Sequence, residues 1–249
     1  MSETTEFTGA PQAPPAPQAP MPSFWEDAID IFVSPVGVFS RRENDSFWKP
    51  FLFVIVAFSV ISIATFDSLQ PIFESEFTRR MAASNQKLTA DQAAAGMGFM
   101  LKFAKYLVPF GVTVGMVILG FATWLVSKFF SAKTTVSQAF VVAAWSYFPR
   151  ILGVIAGGVQ GLFMDPSKLT AAQSISLSPA RFMDPDASNP LVYQLLGRLD
   201  ITVLWETVLL AIGIYVTGKI SKNAAIGFGV VIFLLGSLQA VQAGLSLMK

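Results

Sequence analysis

Five apolar runs, each close to the length that crosses a bilayer, constrain this chain more than any other feature. They are Trp48–Phe66, Tyr106–Val126, Ala139–Phe163, Ile201–Thr217 and Ala224–Met248. A membrane-spanning helix needs about 20 predominantly apolar residues, within a range of roughly 17–25. The alternative, a membrane barrel, requires short strands of alternating polarity, and no such pattern is seen in the sequence. The runs therefore predict an all-α integral membrane protein built as a bundle of five transmembrane helices.

The composition agrees with this class and excludes several kinds of function. Hydrophobic residues make up 53% of the chain and charged residues 13%, values typical of multi-span membrane proteins. The net charge of +1 gives no reason to expect nucleic acid as a partner. The chain contains neither cysteine nor histidine, so thiolate nucleophiles, histidine acid–base catalysis and His/Cys metal or haem sites are excluded. We expect no enzymatic activity, no cofactor and no metal site.

Three segments follow one another along the chain. Residues 1–23 are rich in Pro, Ala and Gln and predict a disordered tail. Residues 24–47 form an amphipathic segment that Pro35 divides, and it either lies in the membrane interface or packs on the rest of the protein. Residues 48–249 are the predicted five-span membrane domain.

The short connections between the predicted spans indicate the orientation. Residues 127–138 and 218–223 carry lysines and no acidic residue, which is typical of cytoplasmic loops. The long connections also contain basic residues, but the charge rule has less force in the middle of long loops. We therefore expect the N-terminus to be cytoplasmic and, with five spans, the C-terminus to lie outside. Thr89 and Gln92 form a capping-box pattern that predicts a helix start ahead of the second span.

Two charges lie well inside the predicted spans. Arg150 is near the middle of the third and follows Pro149, which is expected to break the helix; Glu206 lies in the fourth. A charge at this depth costs ~2.5–3.5 kcal/mol on insertion scales, so each needs a partner or a polar surround. Arg150 and Glu206 predict either an ion pair that locks two helices together or a polar site for a substrate or lipid headgroup.

Small residues recur at four-residue spacing in three of the spans. Such spacing places them on one helix face, where backbones approach closely. They are Gly111 and Gly115 in the second span, Gly153, Gly157 and Gly161 in the third, and Gly236, Ala240 and Gly244 in the fifth. These faces predict helix packing, either within the chain or between copies.

Three stretches carry a resemblance to a known family. They are SPVGVF at Ser34–Phe39, AWSYFPRILG at Ala144–Gly153, and LDITVLWETVLLAIGIYVTGKISKNAA at Leu199–Ala225. Together they resemble the Yip family of Ypt/Rab-interacting multi-pass membrane proteins, in its bacterial form. The resemblance implies an all-helical domain of the bacterial inner membrane without an enzymatic role. The trafficking role of eukaryotic relatives is not carried over, because the segment before the first span is short here.

Two functional hypotheses follow. The first is a non-enzymatic scaffold or partner-binding protein in membrane organisation or trafficking-like processes, with a membrane protein or a second copy as partner. The alternative is a lipid or small-solute transporter with a polar site near Arg150. Under both hypotheses we expect membrane lipids to be partners of the protein. A polar cavity that reaches Arg150 favours the second hypothesis, and a dry, closed bundle favours the first.

Overall fold

The computed structural model describes residues 21–83 and 89–248, which form α-helices and short 3₁₀ turns and contain no strand. Residues 1–20 of the predicted disordered tail lie outside this described part. The helices are α1 (Phe24–Val33), α2 (Pro35–Arg42), α3 (Trp48–Ala64), α4 (Gln70–Ala83), α5 (Ala90–Phe129), α6 (Val136–Ser146), α7 (Phe148–Phe163), α8 (Pro190–Arg198), α9 (Ile201–Gly218) and α10 (Lys222–Ser246).

Four helical units are long and apolar enough to cross a membrane: α5, the pair α6–α7, α9 and α10. The first predicted span, α3, meets these criteria only together with the following helix, to which it is bent by 68°. The prediction of an all-α integral membrane protein is confirmed, with four or five spans. Helix α5 extends well before the predicted second span because the Thr89 capping box starts it early, and it continues through Pro109.

The segment before the first span forms two helices that pack on the bundle. Ser23 caps α1, and Pro35 begins α2 directly after α1 has ended. The ring of Phe24 contacts the rings of Phe53 and Trp145 at centroid distances of 5.4 Å. A strip of exposed apolar side chains remains on the outer face of α1 and consists of Trp25, Ile29 and Val33. The segment therefore packs on the protein and also presents the apolar face expected of an interfacial helix.

A buried carboxylate fixes these two helices to each other. Asp27 of α1 is fully buried and forms salt bridges with Arg41 and Arg42 of α2. Arg41 also pairs with Asp30, and Arg42 pairs with Asp45 at 2.7 Å. A buried charge is tolerated only when it is paired. The salt bridges of Asp27 therefore hold α1 and α2 together.

The connections gather at two ends of the bundle. At one, here called the lysine end, the backbone N–H of Lys133 donates to the Gly218 carbonyl at 3.0 Å, and Lys219 pairs with Glu43 at 2.9 Å. At the other, the loop end, residues 164–189 connect α7 to α8. Helix α8 then runs antiparallel along α10, because Leu191 packs on Gly244 while Arg198 packs on Gly236.

The third predicted span is interrupted near its middle. Helix α6 ends at Ser146, and α7 begins at Phe148 with Pro149 in its first turn. Proline lacks an N–H group and clashes with the carbonyl four residues earlier, so a continuous helix is disfavoured here. The interruption falls at Tyr147, whose carbonyl accepts a hydrogen bond from the Arg150 backbone N–H at 3.0 Å. Arg150 thus lies in the first turn of a new helix, deep in the bundle.

Candidate ligand-binding cavity

A cavity of about 650 Å³ lies among α3, α7, α8, α9 and α10 at the loop end and is here called the loop-end cavity. Much of its wall consists of glycine and alanine backbone, which leaves room between the helices. The polar side chains that line it are Ser62, Thr65, Arg150, Gln173, Ser176, Gln194, Arg198, Asp200, Thr202 and Gln239.

The two deep charges predicted from the sequence meet beside this cavity. Nε of Arg150 lies 3.6 Å from Oε2 of Glu206, whose side chain is only 11% exposed. The guanidinium carbon of Arg150 also lies 6.0 Å from the centre of the Tyr147 ring. Arg150 lines the cavity, whereas Glu206 is buried and does not line it. The pair therefore neutralises one of the two arginines in the cavity wall.

The second arginine of the wall, Arg198, has no such partner. It forms no salt bridge with any residue in the described ranges, and its buried Nε has no hydrogen-bond partner there. Its guanidinium packs on Gly236, and the guanidinium carbon lies 5.5 Å from the centre of the Phe233 ring. A buried donor without a partner is rare in folded proteins, which sets Arg198 apart from Arg150.

Asp200 is near Arg198 in the chain but its oxygens are already used. One oxygen accepts from the Thr202 backbone N–H at 2.8 Å and from its hydroxyl at 2.6 Å, and the other accepts from the Leu177 N–H at 2.8 Å. Asp200 is also the N-cap of α9, where the helix dipole favours a negative charge. The role of Asp200 is therefore to start α9 and tether the loop.

Two glutamines supply further polar groups. Nε2 of Gln173 donates to Oε1 of Gln194 at 3.2 Å, which ties the loop to α8. The remaining oxygen, Oε1 of Gln173, is buried and has no partner among the described residues. Arg198 and Gln173 therefore both line the cavity, and each has one buried polar atom, Nε and Oε1, without a partner among the described residues.

The small residues of the third span face three different neighbours. A Cβ atom added at Gly153 would lie 3.2 Å from Thr202 of α9, and one at Gly157 would lie 3.2 Å from Ile175 of the loop. At Gly161 it would overlap the side chain of Leu69, in the turn that follows α3. The stripe therefore lets a helix, a loop and a turn approach α7 within the chain.

The small residues on α10 and those on α5 have different surroundings. On α10, Gly236 and Ala240 line the cavity, and Gly244 packs on the α8 backbone. On α5, a Cβ atom at Gly115 would lie 3.8 Å from the Tyr147 hydroxyl, whereas one at Gly111 would have no described atom within 4 Å. Gly111 thus has no neighbour for close packing within the described part of this single chain, and packing of Gly111 between copies stays a prediction.

Comparison with known proteins identifies the family. A family model described as the Yip1 domain matches residues 29–242. The chain belongs to the Yip1 domain family. The Bacillus subtilis (strain 168) "Membrane protein YknW" is 27% identical over 213 residues, which are 82% of this chain and 83% of that protein. No solved structure gives a significant match. The family resemblance inferred from the sequence is confirmed.

The charged residues at the cavity lie within the part of the chain that matches the Yip1 domain. Arg150, Arg198 and Glu206 all fall within the matched residues. Neither the family description nor the name of the Bacillus relative mentions an enzymatic activity. What these names and the apolar helices establish together is a multi-pass membrane protein with a Yip1 domain. The sequence alone did not single out Arg198, Gln173 or Gln194, since they lie outside the five apolar runs, where polar residues are common.

Proposed function

We propose that this Yip1-domain protein is a non-enzymatic membrane protein that binds an anionic lipid headgroup or small anionic solute in the loop-end cavity. The observation that carries the proposal is that Arg198 lines the loop-end cavity and forms no salt bridge with any described residue. Arginine presents a planar fork of donors that matches carboxylate and phosphate groups. A ligand of this chemistry would give Arg198 the direct ion pair that it does not form with a described residue.

The cavity also bears on the choice between the two hypotheses. Polar side chains line part of it and it reaches Arg150, which supports the lipid or solute hypothesis over a closed scaffold. A catalytic role has little support, because Asp200 is saturated with hydrogen bonds and Glu206 is paired with Arg150. Without cysteine or histidine in the chain, no strong nucleophile or general base is left in the cavity wall.

The proposed location is the cytoplasmic membrane with the N-terminus inside. Four lysines support this orientation, since Lys128, Lys133, Lys219 and Lys222 all lie at the lysine end. In this orientation the loop-end cavity belongs to the outer half of the bilayer. A ligand would then come from the outer leaflet or from the outer aqueous phase.

A second candidate function, partner binding, has its own observation. Only 28% of the apolar window of α5 is buried, and Gly111 faces open space between exposed aromatic side chains on that helix. A membrane-protein partner or a second copy would cover this face. A Gly111→Cys variant should then cross-link in membranes, while Leu152→Cys, on the exposed face of α7, should not. Equal cross-linking at both positions would indicate random collision.

Identification of the ligand after mild extraction tests the cavity proposal. Wild-type protein purified in mild detergent should retain an acidic lipid or solute that mass spectrometry detects at a constant ratio to protein. Arg198→Gln should lose that compound. Arg80→Gln is the matched control, because Arg80 is an exposed arginine that does not line the loop-end cavity. Equal retention by both variants would contradict the proposal.

A further inference from the structure

A second polar depression adjoins the loop-end cavity. It occupies about 390 Å³ among α4, α8 and the C-terminal end of α10 and is here called the α4–α10 depression. Helix α4 contributes Glu76 and the exposed Arg80 to its lining. The depression and the loop-end cavity share three lining residues, Gln194, Gln239 and Ala243. The two therefore meet at these side chains, of which one lies on α8 and two lie on α10.

The sequence of α10 changes character where the helix reaches this depression. Residues 226–236 include no polar side chain, whereas Gln239, Gln242 and Ser246 follow at spacings of three and four residues. That spacing puts the three side chains on one face of the helix, and all three line the α4–α10 depression. Removing an amide from water without a hydrogen-bond partner is unfavourable. The polar face therefore indicates that water reaches α10 between α4 and α8.

The polar face leads from the end of α10 to the wall of the cavity. Gln239 precedes Ser246 by seven residues, which corresponds to ~10 Å at 1.5 Å per residue. On α8, Oε1 of Gln194 accepts a hydrogen bond of 3.2 Å from Nε2 of Gln173, which lines the cavity. Polar side chains therefore continue from the surface at the loop end, through the depression, into the cavity.

We propose that the α4–α10 depression is an aqueous entrance to the loop-end cavity, and that the ligand is a small water-soluble anion from the solution at the loop end. This inference rests on the proposed function and chooses the free solute over the lipid headgroup. An acyl chain entering by this route would lie against glutamine and serine side chains, which favours a ligand without chains. Arg80 lines the depression and not the cavity, so it meets the ligand only during entry.

Cysteine accessibility tests the entrance, because the chain has no native cysteine. Single cysteines replace Gln239 and its neighbour Leu238, which lies at nearly the same depth, is exposed and lines neither the depression nor the cavity. A hydrophilic methanethiosulfonate reagent is applied to membrane fragments, which expose both surfaces. The reagent attacks the thiolate, which apolar surroundings disfavour, so Gln239→Cys should react at least about 10-fold faster than Leu238→Cys. Equal rates would overturn the inference.

A bulky residue at the junction tests whether the entrance leads into the cavity. Ser62 of α3 lines the cavity and not the α4–α10 depression, so Ser62→Cys reports on the inner compartment. Ala243→Trp should slow the labelling of Ser62→Cys several-fold, whereas the matched control Leu238→Trp should leave the rate unchanged. Melting temperatures establish that each variant folds, and Gln194→Trp is a second variant at the same junction. Unchanged labelling in both folded junction variants would overturn the inference.

The compound that purifies with the protein separates the inference from the proposed function. We expect an acidic compound without acyl chains. A phospholipid at a constant ratio to protein that Arg198→Gln loses would overturn the inference and support the proposed function. Fast labelling of Gln239→Cys without any retained anion would contradict the proposed function and support the entrance.

Discussion

At the scale of single residues, we expect that substituting Arg150 and substituting Glu206 change the free energy of unfolding by different amounts. The Arg150 side chain is 32% exposed and borders the cavity, whereas the Glu206 side chain is 11% exposed. Arg150→Gln leaves a carboxylate without a partner in the more buried position, and this should cost about 2–3 kcal/mol of unfolding free energy. Glu206→Gln leaves an arginine that can still contact cavity water and the Tyr147 ring, so it should cost less.

Chemical denaturation of the purified variants measures this difference. The double variant Arg150→Gln/Glu206→Gln should recover part of the loss of Arg150→Gln, since no charge is then left unpaired. Additive losses in the double variant would show that the two side chains do not interact. The single variants also bear on function, because Arg150 lines the cavity and Glu206 does not.

The residue scale also shows what sequence reasoning can reach. Arg150 and Glu206 were recognisable because each is a lone charge inside an apolar run, and an unpaired charge is unfavourable there. Arg198 gave no such signal. It lies at the end of a long connection, and its burial depends on α8 folding back along α10. No local sequence pattern indicates that α8 packs on α10. Only the tertiary structure therefore places Arg198 in the cavity wall.

At the scale of elements, the docking of α8 on α10 includes a close backbone approach at Gly244. A Cβ atom at Gly244 would lie 2.6 Å from the Leu191 Cα atom, and backbone cannot move aside as a flexible side chain can. Gly244→Ala should therefore destabilise the protein by about 1–3 kcal/mol, the usual cost of overpacking. Gly111→Ala is the control, because its Cβ atom would enter open space and alanine favours helix.

Melting temperatures in detergent compare the two substitutions. Gly244→Ala should lower the melting temperature and weaken binding at the cavity, because α8 carries Arg198. Gly111→Ala should leave the melting temperature unchanged or raise it. The same lowering for both would mean that each glycine is needed for helix flexibility and not for close approach.

A pH-dependent contact ties the loop of residues 164–189 to α4. Arg79 donates a hydrogen bond of 2.8 Å to Asp186, and this holds the pKa of Asp186 below its ordinary value. The contact therefore stabilises the loop above the unfolded-state pKa of about 3.9 and is lost as the pH falls through the lower folded value. The Asp186 carboxylate is 68% exposed, so the contribution is at most about 1 kcal/mol.

Hydrogen exchange of residues 164–189, corrected for the intrinsic effect of pH, reports on this contact. Exchange should increase below about pH 3.9 in the wild type. Asp186→Asn should show the faster exchange already at pH 7, with little further change on acidification. Identical exchange of the two proteins at pH 7 would show that the contact does not order the loop.

Element boundaries were predictable where local chemistry sets them. The Thr89 capping box starts α5, and Pro35 separates α1 from α2, as the sequence indicates. The neighbours of the small-residue stripes were not predictable. Four-residue spacing gives a face that permits close approach, but it does not say whether a helix, a loop or a turn fills the space. On α7 all three do so.

At the scale of the whole molecule, the proposed orientation gives a direct labelling prediction. Because the chain has no native cysteine, single cysteines can be placed at exposed positions on each end. Ala187→Cys lies at the loop end and Ser137→Cys at the lysine end. A membrane-impermeant maleimide applied to intact cells should label only Ala187→Cys. Labelling of Ser137→Cys instead would reverse the orientation and move the cavity to the inner leaflet.

The central claim is that the loop-end cavity holds an anionic group at Arg198. An experimental structure determined in a lipid environment that contains anionic phospholipid tests it most directly. We predict non-protein density within about 3 Å of the Arg198 guanidinium, with Arg150 still paired to Glu206. A structure in which Arg198 instead pairs with Glu206 or Asp200, and α8 closes the cavity against α7, would contradict the claim.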